Sequence, residues 1–384
     1  MNNIKLADQG ACTGCGACSG ICPQRCISLT EDIEGFLYPV IDLETCIGCG
    51  MCERACPVLK SYPCALCSDV YAAKCKSEQI REESSSGGLF TVLSEWIISQ
   101  GGVIYGAGFD DELRIVHKSV SSANELAELR GSKYVQGKTE NTFCEVKKLL
   151  KKGTKVLYSG TPCQIQGLKG FLKDEYDNLI CIDVVCHGTA SPKVYKKYLE
   201  FLSVTFGKKI KKIYFRRKDE GWKKFSFVAE FEDGTEYRGN LLKDPYLRGF
   251  ILNLYLRPCC YHCKANNFRS KSDITLADFW GIEDIAPSFY DEKGISLIMI
   301  NSNNGKRIFD EIKSSIQYRS VSLQDALAGN PAIKISPALN KKRKRFFNQL
   351  DKMPVAELIE SCLAPDLKNR INVILYRFLH YRKK

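Results

Sequence analysis

Apolar and polar positions along the chain follow two regimes that meet near residue 70. Before that point glycines and cysteines recur at short intervals, and Val58–Ser68, with Pro63 and little periodicity, reads as a linker. From Val70 onward strands and helices alternate. Val70–Lys74 reads as a strand, Gly88–Ser99 as an amphipathic helix, and Gly102–Phe109 with Leu113–Val120 as a hairpin turning at Asp110-Asp111. Helical periodicity returns at Asn124–Arg130 and Thr142–Lys151. Lys155–Tyr158 is a short strand feeding Gly160-Thr161-Pro162, from which a helix runs through Phe171; strand Leu179–Val185 and helix Pro192–Leu202 repeat the unit. Such alternation predicts an α/β body with a largely buried sheet. Ile210–Arg217, Phe225–Glu232 and Thr235–Gly239 read as an antiparallel meander with Asp233-Gly234 at a turn, and beyond Asn340 the chain reads as helical and basic.

The early cysteines repeat one rhythm, Cys12-x-x-Cys15-x-x-Cys18-x-x-x-Cys22-Pro23 and Cys46-x-x-Cys49-x-x-Cys52-x-x-x-Cys56-Pro57. This spacing is a ligand set for two [4Fe–4S] clusters, because three thiolates two residues apart wrap three corners of a cubane and the fourth must come from elsewhere. In two-cluster ferredoxins the cysteine before proline serves the other cluster. One cluster is therefore assigned Cys12, Cys15, Cys18 and Cys56, the other Cys46, Cys49, Cys52 and Cys22. Gly14, Gly16, Ala17, Gly48 and Gly50 fill the gaps where backbone must bend and offer N–H groups to sulfur. Zinc sites built from two CxxC pairs have no use for a third cysteine before Cys-Pro. Disulfides are disfavoured because nothing at the N-terminus resembles a secretory signal.

At 384 residues, 44% hydrophobic and 26% charged, the chain suffices for a small ferredoxin module plus one large or two medium domains. No stretch approaches the roughly 18 uncharged apolar residues of a membrane helix, so no transmembrane segment is expected. Twenty cysteines without an export signal imply a reducing, cytoplasmic location. The formal net charge of +12 treats every cysteine as neutral, whereas tetrathiolate clusters are anionic. Basicity thus points to acidic protein partners or phosphorylated cofactors rather than to nucleic acid. Lys341-Lys342-Arg343-Lys344-Arg345 reads as a solvated helix face, since Phe346 and Phe347 follow at once.

Four further places carry chemistry. Cys64-x-x-Cys67 is an isolated pair, read as structural or reduced thiols or as a redox pair. Ser84-Ser85-Ser86-Gly87-Gly88, between a strand and a helix, offers hydroxyls and amides suited to an anion such as a flavin pyrophosphate, or simply an N-cap. In Gly160-Thr161-Pro162-Cys163-Gln164, Thr161 can cap and Pro162 can open a helix, which puts Cys163 in a first turn where the dipole favours thiolate. Cys186-His187-Gly188 and Cys259-Cys260-Tyr261-His262-Cys263 follow. Cys163, Cys186, Cys260 and Cys263 supply one cluster's worth of thiolates, or are scattered core cysteines; spacing alone leaves both open.

The segments ESSSGGLFTVLSEWI, LRGSKYVQG, YSGTPCQIQGLKGFL, CHGTASPKVYKKYL and CYHCKANNFRSKSDITLADFWGI resemble the coenzyme F420 hydrogenase/dehydrogenase beta-subunit family, here fused to an N-terminal two-cluster ferredoxin; the resemblance covers about residues 5–350. It implies FAD and a third [4Fe–4S] cluster held by Cys163, Cys186, Cys260 and Cys263, although Cys259 precedes the motif and competes with Cys260. It also implies that Ser85, Ser86, Gly87, Gly88, Lys133, Tyr134 and Gln136, with Thr161, line the FAD. The expected fold is an α+β ferredoxin-like dicluster module followed by an α/β flavin-binding domain with a mixed sheet and a helical C-terminal region. The divisions are 1–60, 61–150 and 151–335, the latter two being parts of one domain, and a basic tail at 336–384.

A flavin between clusters converts two-electron hydride chemistry into single-electron steps. The expectation is an oxidoreductase whose FAD exchanges hydride with a deazaflavin or another conjugated metabolite, and whose clusters serve a redox protein such as ferredoxin or a hydrogenase/dehydrogenase subunit. Alternatives are a ferredoxin-dependent flavin reductase of a polysaccharide precursor or other metabolite, and a noncatalytic electron-transfer subunit. No catalytic residue is legible; His187 and His262 are the candidates for proton transfer, and Asp278 and Trp280 for supporting contacts.

Overall fold

In the computed structural model, which describes residues 4–64, 67–139 and 141–364, the two cysteine runs fold alike. Gly16 (φ 78°) and Gly50 (φ 67°) are left-handed and open the five-residue helices Ala17–Ile21 and Met51–Ala55. Each helix ends on a cysteine in extended backbone, Cys22 at −69°/117° and Cys56 at −70°/118°. Glycine makes the left-handed entry affordable, and extended geometry carries the last cysteine away from its own run. An antiparallel pair, β1 (Ile27–Glu31) and β2 (Leu37–Ile41), joins the two halves with Ile27 opposite Ile41.

The body is built on strands β3 (Asp69–Cys75), β4 (Val103–Phe109), β5 (Ile115–Val120), β6 (Val156–Gly160) and β7 (Leu179–Val184). Later come β8 (Ile210–Arg217), β9 (Ser226–Phe231), β10 (Glu236–Asn240), β11 (Ile274–Asp278), β12 (Ser296–Ile300) and β13 (Ile316–Ser320). Eight of these form one mixed sheet in the order β13-β3-β12-β11-β7-β6-β4-β5. Its centre, β4-β6-β7-β11, is parallel, and antiparallel strands flank it on both sides. Residues before and after position 150 therefore share one sheet, with β4 paired to β6. The meander β8-β9-β10 forms a separate three-stranded sheet, as its alternation predicts. Strand β12, helix Asn303–Ile312 and β13 carry no sequence expectation. In β12 all five residues are buried, so there is no polar alternation to reveal a strand.

Other expectations need correction. Asn124–Arg130 is a 3-10 turn spanning Asn124–Glu128, closed when Leu129 and Arg130 both donate to the Leu126 carbonyl. Helix Pro192–Phe206 runs four residues past Leu202 and stops at Gly207, which is left-handed (φ 64°). The basic run is not simply a solvated face, because Arg343 forms a half-buried ion pair with Glu34 of the β1–β2 turn and donates to the Leu256 carbonyl at 3.1 Å. Of the expected C-terminal helices, Arg343–Gln349 and Val355–Leu363 are present; positions 365–384 lie outside the described residues.

The ferredoxin module shares a core with the body. Cys15, Ala17, Ile21, Cys52 and Ala55 pack with Phe143, Val146, Ile165, Leu168 and Phe171 from helices Thr142–Lys151 and Pro162–Leu172. Close approach is possible because the second helix presents glycines: a Cβ on Gly167 would lie 2.8 Å from Cys15 Sγ, and one on Gly170 2.3 Å from the Ala55 carbonyl oxygen.

Candidate functional site

The dicluster cysteines gather across the two runs rather than within them. Cys22 lines one small cavity with Cys46, Cys49 and Cys52. Cys12, Cys15, Cys18 and Cys56 form the other group, close enough that each perturbs its neighbours. Burial pushes the Cys15 thiol up to about 11, with Cys12 and Cys56 adding to the rise. Burial also raises Cys18, helped by Cys15, Cys12 and Cys56. Such thiols ionise together only when a cation-rich core compensates them, so loading a cluster here releases protons. Among the described residues no three His, Cys, Asp or Glu side chains converge on a single metal ion. A cubane spreads its four thiolates around a larger core, and both cysteine groups suit that. Cys49 is exposed whereas Cys12, Cys15 and Cys56 are buried, so the Cys46 group is outer and the Cys12 group inner.

A third set comes from three distant segments. Cys163, Cys186, Cys260 and Cys263 line a cavity of about 340 Å³, with Cys259, His187 and His262 also on its wall. The fold accounts for this: Cys163 follows β6 and Cys186 follows β7, adjacent parallel strands, and open α/β sheets bind ligands at such carboxyl ends. The Pro258–His262 turn brings the remaining cysteines across. Cys163 sits in the first turn of Pro162–Leu172, where the Thr161 N–H donates to Gln164 Oε1 at 2.9 Å and Thr161 Oγ1 lies 3.2 Å from Cys163 Sγ. The helix dipole does not dominate there: burial, then Cys263, push Cys163 up to about 12. Cys260 moves the opposite way, to about 7, because Cys259 hydrogen-bonds its thiolate, while Cys259 itself is raised. Cys163 also feels Cys15, so this cavity adjoins the inner ferredoxin group.

Sequence reasoning missed Asp183, a buried carboxyl on the wall of this cavity. It accepts from Thr275 Oγ1 at 2.5 Å and Ser272 Oγ at 2.9 Å, and burial raises its pKa. One Asp in a β-strand carries no spacing signal. His187 is kept toward its neutral form by burial and meets the Phe250 ring edge at 5.2 Å; His262 is exposed.

The two motifs expected around a flavin do meet, since the Ser132 N–H donates to Ser85 Oγ at 2.8 Å. Not every member is free. Ser86 Oγ donates to the Ile295 carbonyl at 3.0 Å, and the Gly87 N–H donates to Ser296 Oγ at 2.9 Å. Gly88 is the left-handed residue that opens helix Leu89–Ser99. Gln136 faces elsewhere, accepting from Arg257 Nη1 at 2.9 Å. Cations collect around the remainder. Lys133 is driven down to about 7 by burial and then by Lys118, and Lys218 to about 8 by burial, Arg81 and Arg216. Arg216 pairs with Asp278, leaving its buried Nε and Nη2 without partners. Asp278 also accepts from Trp222 Nε1 at 2.8 Å, and Trp280 stacks on Trp222 at 4.8 Å. Lys133 Nζ is already held by the Leu129 and Arg130 carbonyls and Lys218 Nζ by those of Arg81 and Lys293, so the free buried donors of this patch include those of Arg216, which suit an anionic phosphate. Tyr134 stacks on Phe250 at 4.5 Å, and Phe250 in turn meets His187 beside Cys186, an aromatic bridge from this patch to the cysteine cavity.

Cys64 is exposed and donates to the Asn267 carbonyl at 2.6 Å, and burial raises Cys67 to about 11; the residues between them lie outside those described. No described helix is long and apolar enough to cross a membrane.

Two cysteine runs that interleave, docked on a mixed α/β sheet, define an iron–sulfur electron-transfer protein. Residues 11–59 match the 4Fe-4S dicluster domain, and residues 153–325 match the family described as the C terminus of the coenzyme F420 hydrogenase/dehydrogenase beta subunit. Together the two matches support the resemblance to the coenzyme F420 hydrogenase/dehydrogenase beta-subunit family with an N-terminal dicluster domain. Among solved structures it is similar to a chain of the F420-reducing [NiFe] hydrogenase complex from Methanosarcina barkeri, at 15% identity and a TM-score of 0.46, over 79% of this chain and 92% of that one. No curated protein matches.

Proposed function

We propose that the protein is an iron–sulfur flavoprotein oxidoreductase that passes electrons between an organic hydride donor or acceptor and a one-electron protein partner. The observation that carries this reading is the convergence of Cys163, Cys186, Cys260 and Cys263 on one cavity beside the inner ferredoxin cysteines. Four thiols there fit a third [4Fe–4S] cluster, and the three groups then succeed one another from this cavity through the buried Cys12 group to exposed Cys49. A flavin, when bound, supplies the exchange between hydride and single electrons. Ser85, Ser132 and Tyr134 through their hydroxyls, and Arg216 through its free Nε and Nη2, would hold its phosphates, with Lys133 and Lys218 alongside. Asp183, kept toward its protonated form at the cavity wall, is the residue suited to hold a proton there. A deazaflavin such as coenzyme F420 is the substrate class the family suggests; a hydrogenase or dehydrogenase subunit, or ferredoxin, is the corresponding partner.

Anaerobic purification with iron, sulfide and flavin counted tests this. About twelve irons and one FAD are expected, whereas about eight irons remove the third cluster. Full iron without flavin reduces the protein to a relay. Flavin bleaching by reduced coenzyme F420, NAD(P)H or reduced ferredoxin then identifies the donor.

A further inference from the structure

We propose that Arg257, a residue of the body, sets the reduction potential of the inner ferredoxin cluster, so that this cluster is tuned by docking and not by the ferredoxin module alone. The inference rests on the reading that Cys12, Cys15, Cys18 and Cys56 hold a cubane.

Arg257 belongs to the segment leading into the Pro258–His262 turn, and its N–H donates to the Thr189 carbonyl at 2.8 Å. Its side chain crosses into the ferredoxin module. Nε donates to the Cys12 carbonyl at 2.8 Å, Nη2 to the Leu37 carbonyl at 2.8 Å, and Nη1 to Gln136 Oε1 at 2.9 Å. The guanidinium lies 4.2 Å from the Tyr38 ring centroid and is 1% exposed. The ferredoxin loop closes on it: a Cβ at Gly14 would lie 3.0 Å from Arg257 Nη1 and 2.3 Å from Gln136 Nε2.

Each acceptor in this set is a neutral carbonyl or amide oxygen. A permanently charged guanidinium buried among neutral acceptors requires a nearby anion. The ligand Cys12, whose own carbonyl it grips, supplies one through its cluster, and Cys259 and Cys260, which also feel the Arg257 charge, supply another, so the midpoint of a third cluster is read beside the inner one. The geometry also makes the charge directional. A fixed cation in a dry environment favours the more negative, reduced state of an adjacent cluster, and cluster potentials follow surrounding charge and hydrogen bonding. The outer group around Cys46 lies on the other side of the module, toward Cys49 and solvent, and is less affected.

The test uses the full chain, purified anaerobically with iron counted, and an EPR-monitored redox titration of each cluster. The inner signal is the one lost in Cys18→Ala. Arg257→Met removes the charge, and Gln136→Glu neutralises it in place. Either variant retaining full iron is expected to lower the inner midpoint by about 59 mV or more, a tenfold change in the reduced-to-oxidised ratio at fixed potential, with a smaller outer shift. An unchanged inner midpoint in an iron-replete variant overturns the proposal. If Arg257→Met loses iron, Gln136→Glu decides. Loss of the inner irons in both variants also overturns it, leaving Arg257 a structural clasp. Absence of a cubane signal in the unmodified protein is a different failure, that of the cluster reading itself.

Discussion

Replacing Gly170 by alanine separates helix propensity from tertiary fit. In an isolated helix interior this change stabilises by about 0.8–1.0 kcal/mol. Here the added Cβ would stand 2.3 Å from the Ala55 carbonyl oxygen, where ordinary contact begins at 3.4 Å. The obstacle is backbone, which has no rotamer to yield, and Ala55 itself is fully buried. The ferredoxin helix must retreat by about 1 Å, taking the inner ligand Cys56 with it. Overpacking of this kind costs about 1–3 kcal/mol, and a backbone obstacle belongs at the upper end, so the net expectation is a loss of about 2 kcal/mol. Anaerobic thermal unfolding at one scan rate should show an apparent Tm lower by several degrees, together with altered magnetic interaction between the two ferredoxin clusters. A higher Tm with an unchanged EPR spectrum would refute the packing argument.

Other expectations concern ligands, pH and docking. Cys22→Ala should lose the same signal and about four irons as Cys46→Ala, not the signal lost in Cys18→Ala; the opposite pattern breaks the crossed assignment. Cys163→Ala should lose about four irons from an otherwise twelve-iron protein while Cys259→Ala keeps them, and iron analysis of the two decides between Cys259 and Cys260. Asp244, buried and accepting from Tyr198 Oη at 2.6 Å and Tyr237 Oη at 3.0 Å, has its pKa raised to about 6 by burial. A raised folded-state pKa means its stabilisation is complete below the unfolded value and disappears as pH rises through about 6. From pH 5 upward the protein should lose about 1.4 kcal/mol relative to Asp244→Asn, mostly before pH 6.5; parallel denaturation curves without that difference count against it. Arg343→Ala should destabilise by about 3 kcal/mol by stranding Glu34. Lys344→Ala, at an exposed position, should stay within about 0.5 kcal/mol in the same denaturant titration.

The amino-acid order alone determined the features whose physics is local. Cysteine spacing points to three corners of a cubane, and the rule for the fourth proposes Cys22 and Cys56 for the opposite runs, where the fold gathers Cys22 with Cys46, Cys49 and Cys52. Thr161-Pro162 starts a helix, and alternating apolar residues mark β8 and β9. Where the local pattern is uniform it says nothing, which is why the fully buried β12 went unseen. The tertiary structure decided what depends on neighbours distant in sequence. Cys163, Cys186, Cys260 and Cys263 share a wall because β6 and β7 are parallel neighbours and the Pro258–His262 turn folds over them. Gln136 turned from the expected flavin patch to Arg257 because a buried guanidinium needs oxygen acceptors more than the patch needs another amide. Arg216, Lys218 and Arg257 look in sequence like any other cations. Only the fold shows where they lie: Arg216 buried beside Asp278, Lys218 among backbone carbonyls, and Arg257 buried against the ferredoxin loop.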